Sequence, residues 1–165
     1  MKFEAPMLVV NDINRSRAFY CDVFGLEVVM DFGENITFNA GFSLQDKALW
    51  AKFIHRDEKE IVYRGNDMEL YFEEENLDDF SAHLKNYPEI EYLHDVEEAA
   101  WGQRSIRFYD PDYHIIEVGE SMAMVCQRFY DQGMTEASIV ERTMMPAEVV
   151  KHFIKQRPSE KAQLN

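Results

Sequence analysis

The stretch MLVVNDINRSRAFYCDVFGL, residues 7–26, contains the signals for a strand that leads directly into a helix. The apolar run Met7–Val10 predicts a short strand. Asn11 and Asp12 offer a helix N-cap, and the apolar residues after them recur at helical spacing over 13–24. Gly25 stands where a left-handed residue commonly ends a helix. The stretch therefore predicts a strand and a capped helix in immediate succession.

Three strand-like runs follow this helix, and the same order of elements then begins again after about 61 residues. The first set of runs covers 26–30, 36–40 and 42–53, the last of them open to a break. The second set comprises a strand at 67–72, a helix at 77–86 capped by Asn76 and ended by Pro88, and strands at 91–94, 104–109 and 114–118. This doubled order predicts an α+β fold in which each helix covers one face of a sheet. We place the domain at 1–120, with modules at about 5–55 and 66–119.

The residues after 120 break the pattern and predict a helical extension over 121–157. Thr135 and Pro146 are suitable helix starts. The three predicted helices cover 122–130, 136–141 and 147–154, and residues 158–165 are expected to be disordered. An apolar stripe on the last helix is expected to pack on the domain or across a dimer, and consists of Val149, Val150, Phe153 and Ile154. The segment 133–150, which contains a short helix, a turn and the start of the last helix, loosely resembles a helix-turn-helix. Its second helix lacks a basic recognition face.

Charge is distributed unevenly along the 165 residues, whose formal net charge is −14. Residues 1–120 carry 26 Asp and Glu against 11 Lys and Arg, whereas residues 121–165 carry 5 against 6. An acidic body repels nucleic acid, so no nucleic-acid partner is expected. The acidity fits either a solvated surface that maintains solubility or an acidic groove that attracts a cationic ligand.

The remaining composition favours a folded cytoplasmic protein. Hydrophobic residues make up 46% of the chain, which argues against disorder. No apolar run approaches the roughly 20 residues of a membrane span, and the first residues lack the features of a signal peptide. The two cysteines, Cys21 and Cys126, are far apart and do not suggest a disulfide framework.

Two motifs resemble one known superfamily. The segment Val9–Tyr20 followed by Val23–Leu26 resembles the opening of vicinal-oxygen-chelate proteins, which include glyoxalase I, extradiol dioxygenases, and fosfomycin and bleomycin resistance proteins. Their final hairpin resembles Trp101-Gly102, Phe108–Asp112 and Ile115–Val118. The resemblance implies paired βαβββ modules that form a cupped mixed sheet, a ligand in the cup, and a homodimer. Tyr113 replaces the usual glycine after Asp-Pro-Asp, so we expect another turn type there, because a tyrosine at positive φ is strained.

Strand alternation predicts which residues share a face, because successive residues point to opposite sides. Leu8, Leu70, Ile116 and Ile106 belong to apolar faces suited to packing under the helices. The opposite faces of the first strands of both modules and of the last strand carry Ala5, Met7, Glu69, Tyr71, Ile115 and Glu117. The resemblance implies that this second set lines the cup.

The resemblance also implies a four-ligand metal site, which this sequence does not complete. The matching positions are Ala5, Ser43, Glu69 and Glu117. Alanine cannot bind a metal, serine is a poor ligand for a divalent ion, and two carboxylates are fewer than the usual three or four protein ligands. All five histidines lie elsewhere, and His114 is expected to point to the other face. We therefore predict no metal and no cofactor.

Three interpretations of Glu69 and Glu117 remain open. In the first interpretation they line a solvated groove or are remnants of a metal site. In the second they act as counter-ions for a ligand, and in the third one of them is a catalytic general base. Trp101 is either a core or interface aromatic residue or a ligand contact. The predicted ligand-binding set is Met7, Ser43, Glu69, Tyr71, Trp101, Ile115 and Glu117, with Glu69 and Glu117 as the catalytic candidates.

The favoured function is binding of a small molecule, with a cationic ligand as one possibility, in an acidic cup without a complete metal site. The alternative is a metal-dependent lyase, isomerase or dioxygenase of the glyoxalase type with a rearranged site. A DNA-associated regulator that uses the extension is the third hypothesis. Whether the protein catalyses any reaction is left open by the sequence.

Overall fold

The computed structural model describes residues 1–156, and within them the order strand, helix and three strands occurs twice. The first module consists of β1 (Met7–Val10), α1 (Ile13–Phe24), β2 (Val28–Asp31), β3 (Asn35–Phe38) and β4 (Ser43–Asp46). A helix, α2 (Lys47–Phe53), and a 3-10 turn at Glu58–Glu60 lead to the second module. That module consists of β5 (Glu69–Glu74), α3 (Leu77–Leu84), β6 (Tyr92–Glu98), β7 (Arg104–Tyr109) and β8 (Ile115–Glu120). The predicted α+β fold with two βαβββ modules is confirmed.

Each module builds one four-stranded sheet, in the orders β1-β4-β3-β2 and β5-β8-β7-β6. In the first sheet β1 and β4 are parallel, whereas β3 is antiparallel to both β4 and β2, so the sheet is mixed. The helix that follows the first strand of each module is long enough to cross over and allow the last strand to pair beside the first. The last strand of each module is therefore an inner strand.

Helix α1 begins and ends where the sequence signals place it. The Asp12 carboxylate accepts hydrogen bonds from the backbone N–H groups of Asn14 and Arg15, at 2.9 and 3.1 Å. Gly25 adopts the left-handed conformation, with φ of 64°, and its N–H donates to the carbonyl of Cys21. Both ends of the helix are thus set by local interactions that satisfy its terminal backbone groups.

The predicted strand-like run at 42–53 is wrong beyond residue 46. The chain leaves the sheet at Asp46, whose carboxylate accepts a hydrogen bond from the backbone N–H of Leu49 at 2.9 Å and so caps α2. The residues after this cap, Lys-Ala-Leu-Trp-Ala-Lys, include several strong helix formers. A capping aspartate followed by helix formers outweighs the apolar character of the run.

The chain divides into two compact units. The first unit consists of Met1–Leu70, His83–Leu93 and Phe108–Ile116. In its core, the Tyr20 ring lies 5.1 Å from the Phe42 ring and 5.5 Å from the Phe38 ring, measured between centroids. Leu8, Val10, Ile36 and Leu44 are buried in the same unit. These residues come from alternate positions of β1, β3 and β4, as the apolar alternation requires.

The second unit consists of Tyr71–Ala82, His94–Arg107 and the chain from Glu117 onward. It contains the C-terminal helices α4 (Met122–Asp131), α5 (Glu136–Thr143) and α6 (Ala147–Lys155). The predicted starts are correct, because Thr135 caps α5 and Pro146 precedes α6. The three helices share a core of Val125, Cys126, Phe129, Ile139, Val150 and Ile154. The division of the chain at residue 120 stays a prediction, and the predicted tail at 158–165 lies outside the described residues.

The turn between β7 and β8 differs from the expectation. Tyr113 adopts the left-handed conformation with φ of 66°, so the prediction of another turn type is wrong. The Asp110 carboxylate accepts hydrogen bonds from the backbone N–H groups of Asp112 and His114, both at 2.9 Å, and holds the turn. The guanidinium of Arg64 stacks on the Tyr113 ring at 3.7 Å. These interactions offset the strain of a tyrosine at positive φ.

The length and polarity of the helices determine whether any of them could span a membrane. Within residues 1–156 every helix is too short or too polar to cross a lipid bilayer.

Candidate functional site

A row of uncharged side chains crosses one face of the first sheet, and we call it the neutral row. Strand register places Met7 of β1 beside Ser43 of β4, Ser43 beside Thr37 of β3, and Thr37 beside Met30 of β2. The Ser43 and Thr37 hydroxyls share a hydrogen bond of 2.9 Å. Two of the predicted ligand-binding residues, Met7 and Ser43, therefore lie side by side. This face carries no charge in the row itself.

The corresponding face of the second unit carries a charged row formed by Tyr71, Glu117, Arg107 and His94, one residue from each of β5, β8, β7 and β6. Arg107 donates a short hydrogen bond to the Glu117 carboxylate, which is only 7% exposed. A second Arg107 nitrogen lies 3.3 Å from Nε2 of His94. The predicted residue Glu117 is thus held in an ion pair within the sheet face.

The hydrogen bonds of His94 indicate its tautomer. Its Nδ1 lies 2.7 Å from the carbonyl oxygen of Asp95, which can only accept a hydrogen bond. Nδ1 therefore carries the proton, and Nε2 accepts from Arg107 in the neutral imidazole. Arg107 is consequently bound on one side by a carboxylate and on the other by a neutral histidine.

Two predicted aromatic residues, Tyr71 and Trp101, are joined through Gln103. The Trp101 indole N–H donates to Gln103 Oε1 at 3.1 Å, and Gln103 Nε2 donates to the Tyr71 hydroxyl at 2.9 Å. The Tyr71 hydroxyl in turn donates to the Glu73 carboxylate at 3.3 Å. Burial, followed by the negative charge of Glu73, raises the pKa of Tyr71. Trp101 and Tyr71 remain 41% and 46% exposed, so their ring surfaces are available for contact.

A pocket of about 310 Å³ lies in the first unit beside β1, and we call it the β1 pocket. Its walls come from the start of β1, the start of β8 and the segment 61–68. Two predicted ligand-binding residues, Met7 and Ile115, both line it. β1 is an edge strand of the first sheet, and residues 7–9 line the pocket together with the segment 61–68.

One polar group in the wall of the β1 pocket has no protein partner. The Tyr63 hydroxyl is buried and makes no hydrogen bond within the part of the chain that the structure describes. Its ring lies edge-on to His114 at 5.9 Å, and the Lys47 ammonium lies 5.1 Å above its face. Burial, followed by the negative charges of Asp112 and Asp110, raises the pKa of Tyr63, which therefore keeps its proton. Such a buried, unpaired hydroxyl is uncommon, because burying it without a partner costs free energy.

A protein-family model matches most of the chain. The model of the glyoxalase-like domain matches residues 3–123. The chain belongs to the glyoxalase-like family. A search of curated proteins found no significant match.

Solved structures agree with the family. The glyoxalase-like chain is 40% identical to a protein of unknown function from Agrobacterium tumefaciens, with a TM-score of 0.65, over 73% of this chain and 94% of that one. A lactoylglutathione lyase from A. tumefaciens is 23% identical, with a TM-score of 0.56, over 73% and 94% of the two chains. The fosfomycin resistance protein FosX from Listeria monocytogenes is 20% identical, with a TM-score of 0.54, over 73% and 93%. The last two likenesses show the shared fold.

The residues present do not fit the metal site that the superfamily resemblance implied. Ala5 has no donor atom, the Ser43 hydroxyl is bonded to Thr37, and the Glu117 carboxylate is paired with Arg107. Residues 1–156 contain no group of three or more His, Cys, Asp or Glu side chains that could hold a metal ion. Glu69 is an exposed residue at the start of β5 in the first unit. On these sheet faces, Ser43 makes a hydrogen bond and Glu117 makes an ion pair with other residues of the protein.

A separate polar cluster around Asp110 and Asp112 is structural. Asp110 accepts hydrogen bonds from the Tyr20 hydroxyl at 2.9 Å and interacts with His114 Nδ1 at 2.8 Å. Asp112 accepts from Arg15 and Ser16, at 2.8 and 3.1 Å. Burial, followed by the charge of Asp110, raises the pKa of Tyr20. The cluster attaches the β7–β8 turn to the first two turns of α1, and His114 points into it, on the face that alternation predicts.

Arg107 and Tyr63 are the residues that the sequence argument did not place in a site. Arg107 alternates with Ile106 and Phe108, which are buried, so the pattern puts it on the opposite face of β7. That alternation was the available signal. Tyr63 lies in a segment without periodicity, so no local signal indicated that its hydroxyl is buried.

Proposed function

We propose that this glyoxalase-like protein binds a small organic molecule in the β1 pocket and does so without the metal ion of related enzymes. The observation that carries the proposal is the buried, unpaired Tyr63 hydroxyl in a pocket that also contains the predicted residues Met7 and Ile115. A ligand atom that bonds to this hydroxyl would remove the cost of its burial. The volume of about 310 Å³ lies at the lower end of the range for small-ligand pockets.

The pocket lining supports an uncharged ligand with an apolar body and one hydrogen-bonding group. Met7, Ile61, Val62, Met68 and Ile115 supply apolar surface. Arg64 and Asp67 are the only Arg, Lys, Asp or Glu side chains in the lining, and their charges are opposite. A cationic ligand, as the acidic composition suggested, receives little support here. In the second unit, Arg107 already serves as the counter-ion of Glu117.

Size-matched aromatic ligands test the proposal. Benzyl alcohol, benzylamine and benzoate share a ring but differ in charge, and each can be titrated into 15N-labelled protein. We expect benzyl alcohol to shift the amide resonances of Met7, Ile115 and residues 61–68 the most. Tyr63→Phe, which removes one hydroxyl, should weaken this binding several-fold, whereas Tyr130→Phe in α4 should leave it unchanged. Stronger shifts with benzylamine would overturn the uncharged ligand, and no shift at millimolar benzyl alcohol would overturn the pocket.

The same titration tests the other residues predicted to bind ligand. Ser43, Glu69, Tyr71, Trp101 and Glu117 stay predictions, and so does catalysis by Glu69 or Glu117. Ligand-dependent shifts at Trp101 or Tyr71 would support a ligand contact at the aromatic pair of the second unit.

Metal analysis separates this proposal from the alternative of a metal-dependent lyase, isomerase or dioxygenase. Protein purified without added metal should contain zinc, nickel and iron well below one ion per chain, because Ala5 has no donor atom and the Glu117 carboxylate is paired with Arg107. Stoichiometric metal that is lost in Glu117→Gln would establish the alternative.

A homodimer and a cytoplasmic location also belong to the proposal. Edge strand β2 and the turn after it expose Val29, Met30 and Phe32, at 57%, 50% and 70%. Exposed apolar residues on an edge strand favour association with another chain. Sedimentation equilibrium should therefore give twice the chain mass of 19.5 kDa, and Phe32→Asp should shift the protein toward monomer.

A further inference from the structure

A second cavity in the first unit has no part in the proposed function. It is a groove of about 500 Å³ that lies along α1, beside the segments 87–91 and 109–113. Tyr113 is the one residue that it shares with the β1 pocket. We call it the aromatic groove, because four aromatic residues line it: Phe19, Tyr87, Tyr109 and Tyr113.

Carboxylates accompany these rings. Asp22, Glu89 and Glu91 line the groove, and all three are exposed. The one basic residue in the lining, Arg15, is already engaged by Asp112 and by the carbonyl oxygen of Pro111. Within residues 1–156 no salt bridge joins Asp22 or Glu89 to a basic side chain. The groove therefore combines unneutralised negative charge with aromatic surface.

One end of the groove already holds a cation that the chain itself supplies. The Arg64 guanidinium stacks on Tyr113 at 3.7 Å and lies 5.2 Å from the Tyr109 ring centroid. It also makes two hydrogen bonds to the Glu91 carboxylate, at 2.9 and 2.7 Å. The Arg64 hydrogen bond lowers the pKa of Glu91, which keeps that carboxylate charged. The Tyr109 and Tyr113 rings and the Glu91 carboxylate are therefore arranged so that they bind an organic cation, which here is the Arg64 guanidinium.

The other end offers rings and carboxylates as well, and no guanidinium or ammonium group of residues 1–156 stacks on the rings of Phe19 or Tyr87 there. Phe19 and Asp22 come from α1, and Tyr87 and Glu89 from the segment after α3. The Tyr87 hydroxyl donates to the backbone carbonyl of Asp22 at 3.0 Å, so the two walls are tied together at this point. A ring fixed in the wall of a groove that two carboxylates also line is a preorganised site for a weakly hydrated positive charge.

We infer that the aromatic groove binds a small organic cation, such as a quaternary ammonium or guanidinium compound, beside Phe19, Asp22, Tyr87 and Glu89. The rings attract a dispersed positive charge through their quadrupoles, and the carboxylates supply the opposite charge. An anion would meet the repulsion of Asp22 and Glu89. A neutral molecule would gain only the apolar contact of the rings. The ligand class follows from this combination of rings and charge.

Choline and its neutral isostere 3,3-dimethylbutan-1-ol are the probes that test this inference. Both are titrated into 15N-labelled protein at low salt, where exposed charges are least screened. We expect choline to shift the resonances of Phe19, Asp22, Tyr87 and Glu89, and the isostere to bind about tenfold more weakly. Equal binding of the two probes would overturn the inference, because the groove would then recognise shape alone.

Matched variants distinguish the groove from the acidic surface as a whole. The double variant Asp22→Asn with Glu89→Gln should weaken choline binding about tenfold, and Tyr87→Leu should weaken it similarly. Glu27→Gln removes one carboxylate of the first unit outside the groove and should leave binding unchanged. The carboxylate variants alter only exposed side chains, so they test the site even if Tyr87→Leu impairs folding. Choline shifts that are insensitive to all these substitutions would overturn the site.

The inference does not depend on the proposed function of the β1 pocket. Tyr63→Phe should leave choline binding intact, and the groove variants should leave benzyl alcohol binding intact. Failure of one proposal is therefore distinguishable from failure of the other.

Discussion

The two modules share one strand order, but the corresponding faces of their sheets carry different side chains. In the first module the face is crossed by the neutral row, where Ser43 and Thr37 share a single hydroxyl hydrogen bond. In the second module the charged row occupies the corresponding strands, and Glu117 and Arg107 form an ion pair. The comparison shows that a carboxylate at a superfamily ligand position is not evidence of a metal site. Its nearest cation is a residue of the neighbouring strand.

The final hairpins of the modules differ in a similar manner. The turn before β4 uses Gly41 at φ of 83°, and the turn before β8 uses Tyr113 at φ of 66°. Glycine adopts this conformation without strain, whereas tyrosine needs compensation from its surroundings. Asp110 and Arg64 provide that compensation in the second hairpin.

Only the second module is continued by a helical extension, which creates one position with no counterpart in the first. Gly102, with φ of 91°, lies against the Phe129 ring of α4. The guanidinium groups of Arg128 and Arg142 both lie over the Phe129 ring, at 4.9 and 4.7 Å from its centroid. The ring has little freedom to move away.

The largest effect is expected from Gly102→Ala, which tests how firmly the extension is attached. An added Cβ would collide with the Phe129 ring and would also hold a strained φ, so we expect a loss of about 3 kcal/mol in the free energy of unfolding. Gly133→Ala is the matched control, because its φ of 86° is similar but nothing lies within 4 Å of an added Cβ. It should lose about 1 kcal/mol. Urea unfolding measures both, and equal losses would contradict the close packing of Phe129 on Gly102.

Breaking the central pair of each row should show the difference between the two faces. Glu117→Ala removes the carboxylate that accepts the short hydrogen bond from Arg107, and because the Arg107 side chain is 34% exposed we expect a loss of about 2 kcal/mol. Ser43→Ala removes one neutral hydrogen bond and should lose about 1 kcal/mol. Replacing both charged partners, in Arg107→Met with Glu117→Leu, should be less destabilising than Glu117→Ala alone. A double variant that is worse than the single one would indicate that the ion pair itself stabilises the sheet.

Substitutions at the two left-handed residues, Gly41 and Tyr113, test the difference between the two hairpins. Gly41→Ala should lose about 1 kcal/mol, because it introduces strain where none exists. At residue 113, Tyr113→Gly should be about 1 kcal/mol more stable than Tyr113→Ala, since both lose the Arg64 stacking but only alanine remains strained. Thermal unfolding of the three variants provides the test. Equal stability of the two residue-113 variants would show that the turn changes conformation when the ring is removed.

The smallest effect concerns the acid stability of the second unit. Burial alone would raise the pKa of Glu120, but hydrogen bonds from Arg104 and then Arg128 outweigh it and lower the pKa from its usual 4.5. The stabilisation is therefore present above pH 4.5 and is lost as the pH falls through the lower pKa of the folded state. In Glu120→Gln, the free energy of unfolding should fall less steeply below that pH. Gly133→Ala, which introduces no titrating group, is the control for reduced starting stability.

Local signals explain which parts of the fold were predictable. The bounds of β1, α1 and β7 agree with the sequence prediction, because caps, a terminal glycine and strict alternation act within a few residues. Alternation also identified the faces that carry Met7, Tyr71, Ile115 and Glu117. The helix α2 was missed because its capping residue, Asp46, is also the last residue of β4, and no glycine or proline separates the strand from the helix.

What the sequence by itself determined is therefore the strand–helix order, the family, and the face on which each strand residue lies. Those properties depend on periodicity and on side chains close together in the chain. Only the tertiary structure decided that Arg107 bonds to Glu117 and that Arg64 compensates the strained Tyr113. It likewise decided that the Tyr63 hydroxyl is buried in the wall of the β1 pocket without a hydrogen-bond partner among residues 1–156. The Arg107–Glu117 and Arg64–Tyr113 contacts join residues 10 and 49 positions apart. Their partners are set by strand register and by the path of the 61–68 segment, for which the local sequence carries no signal.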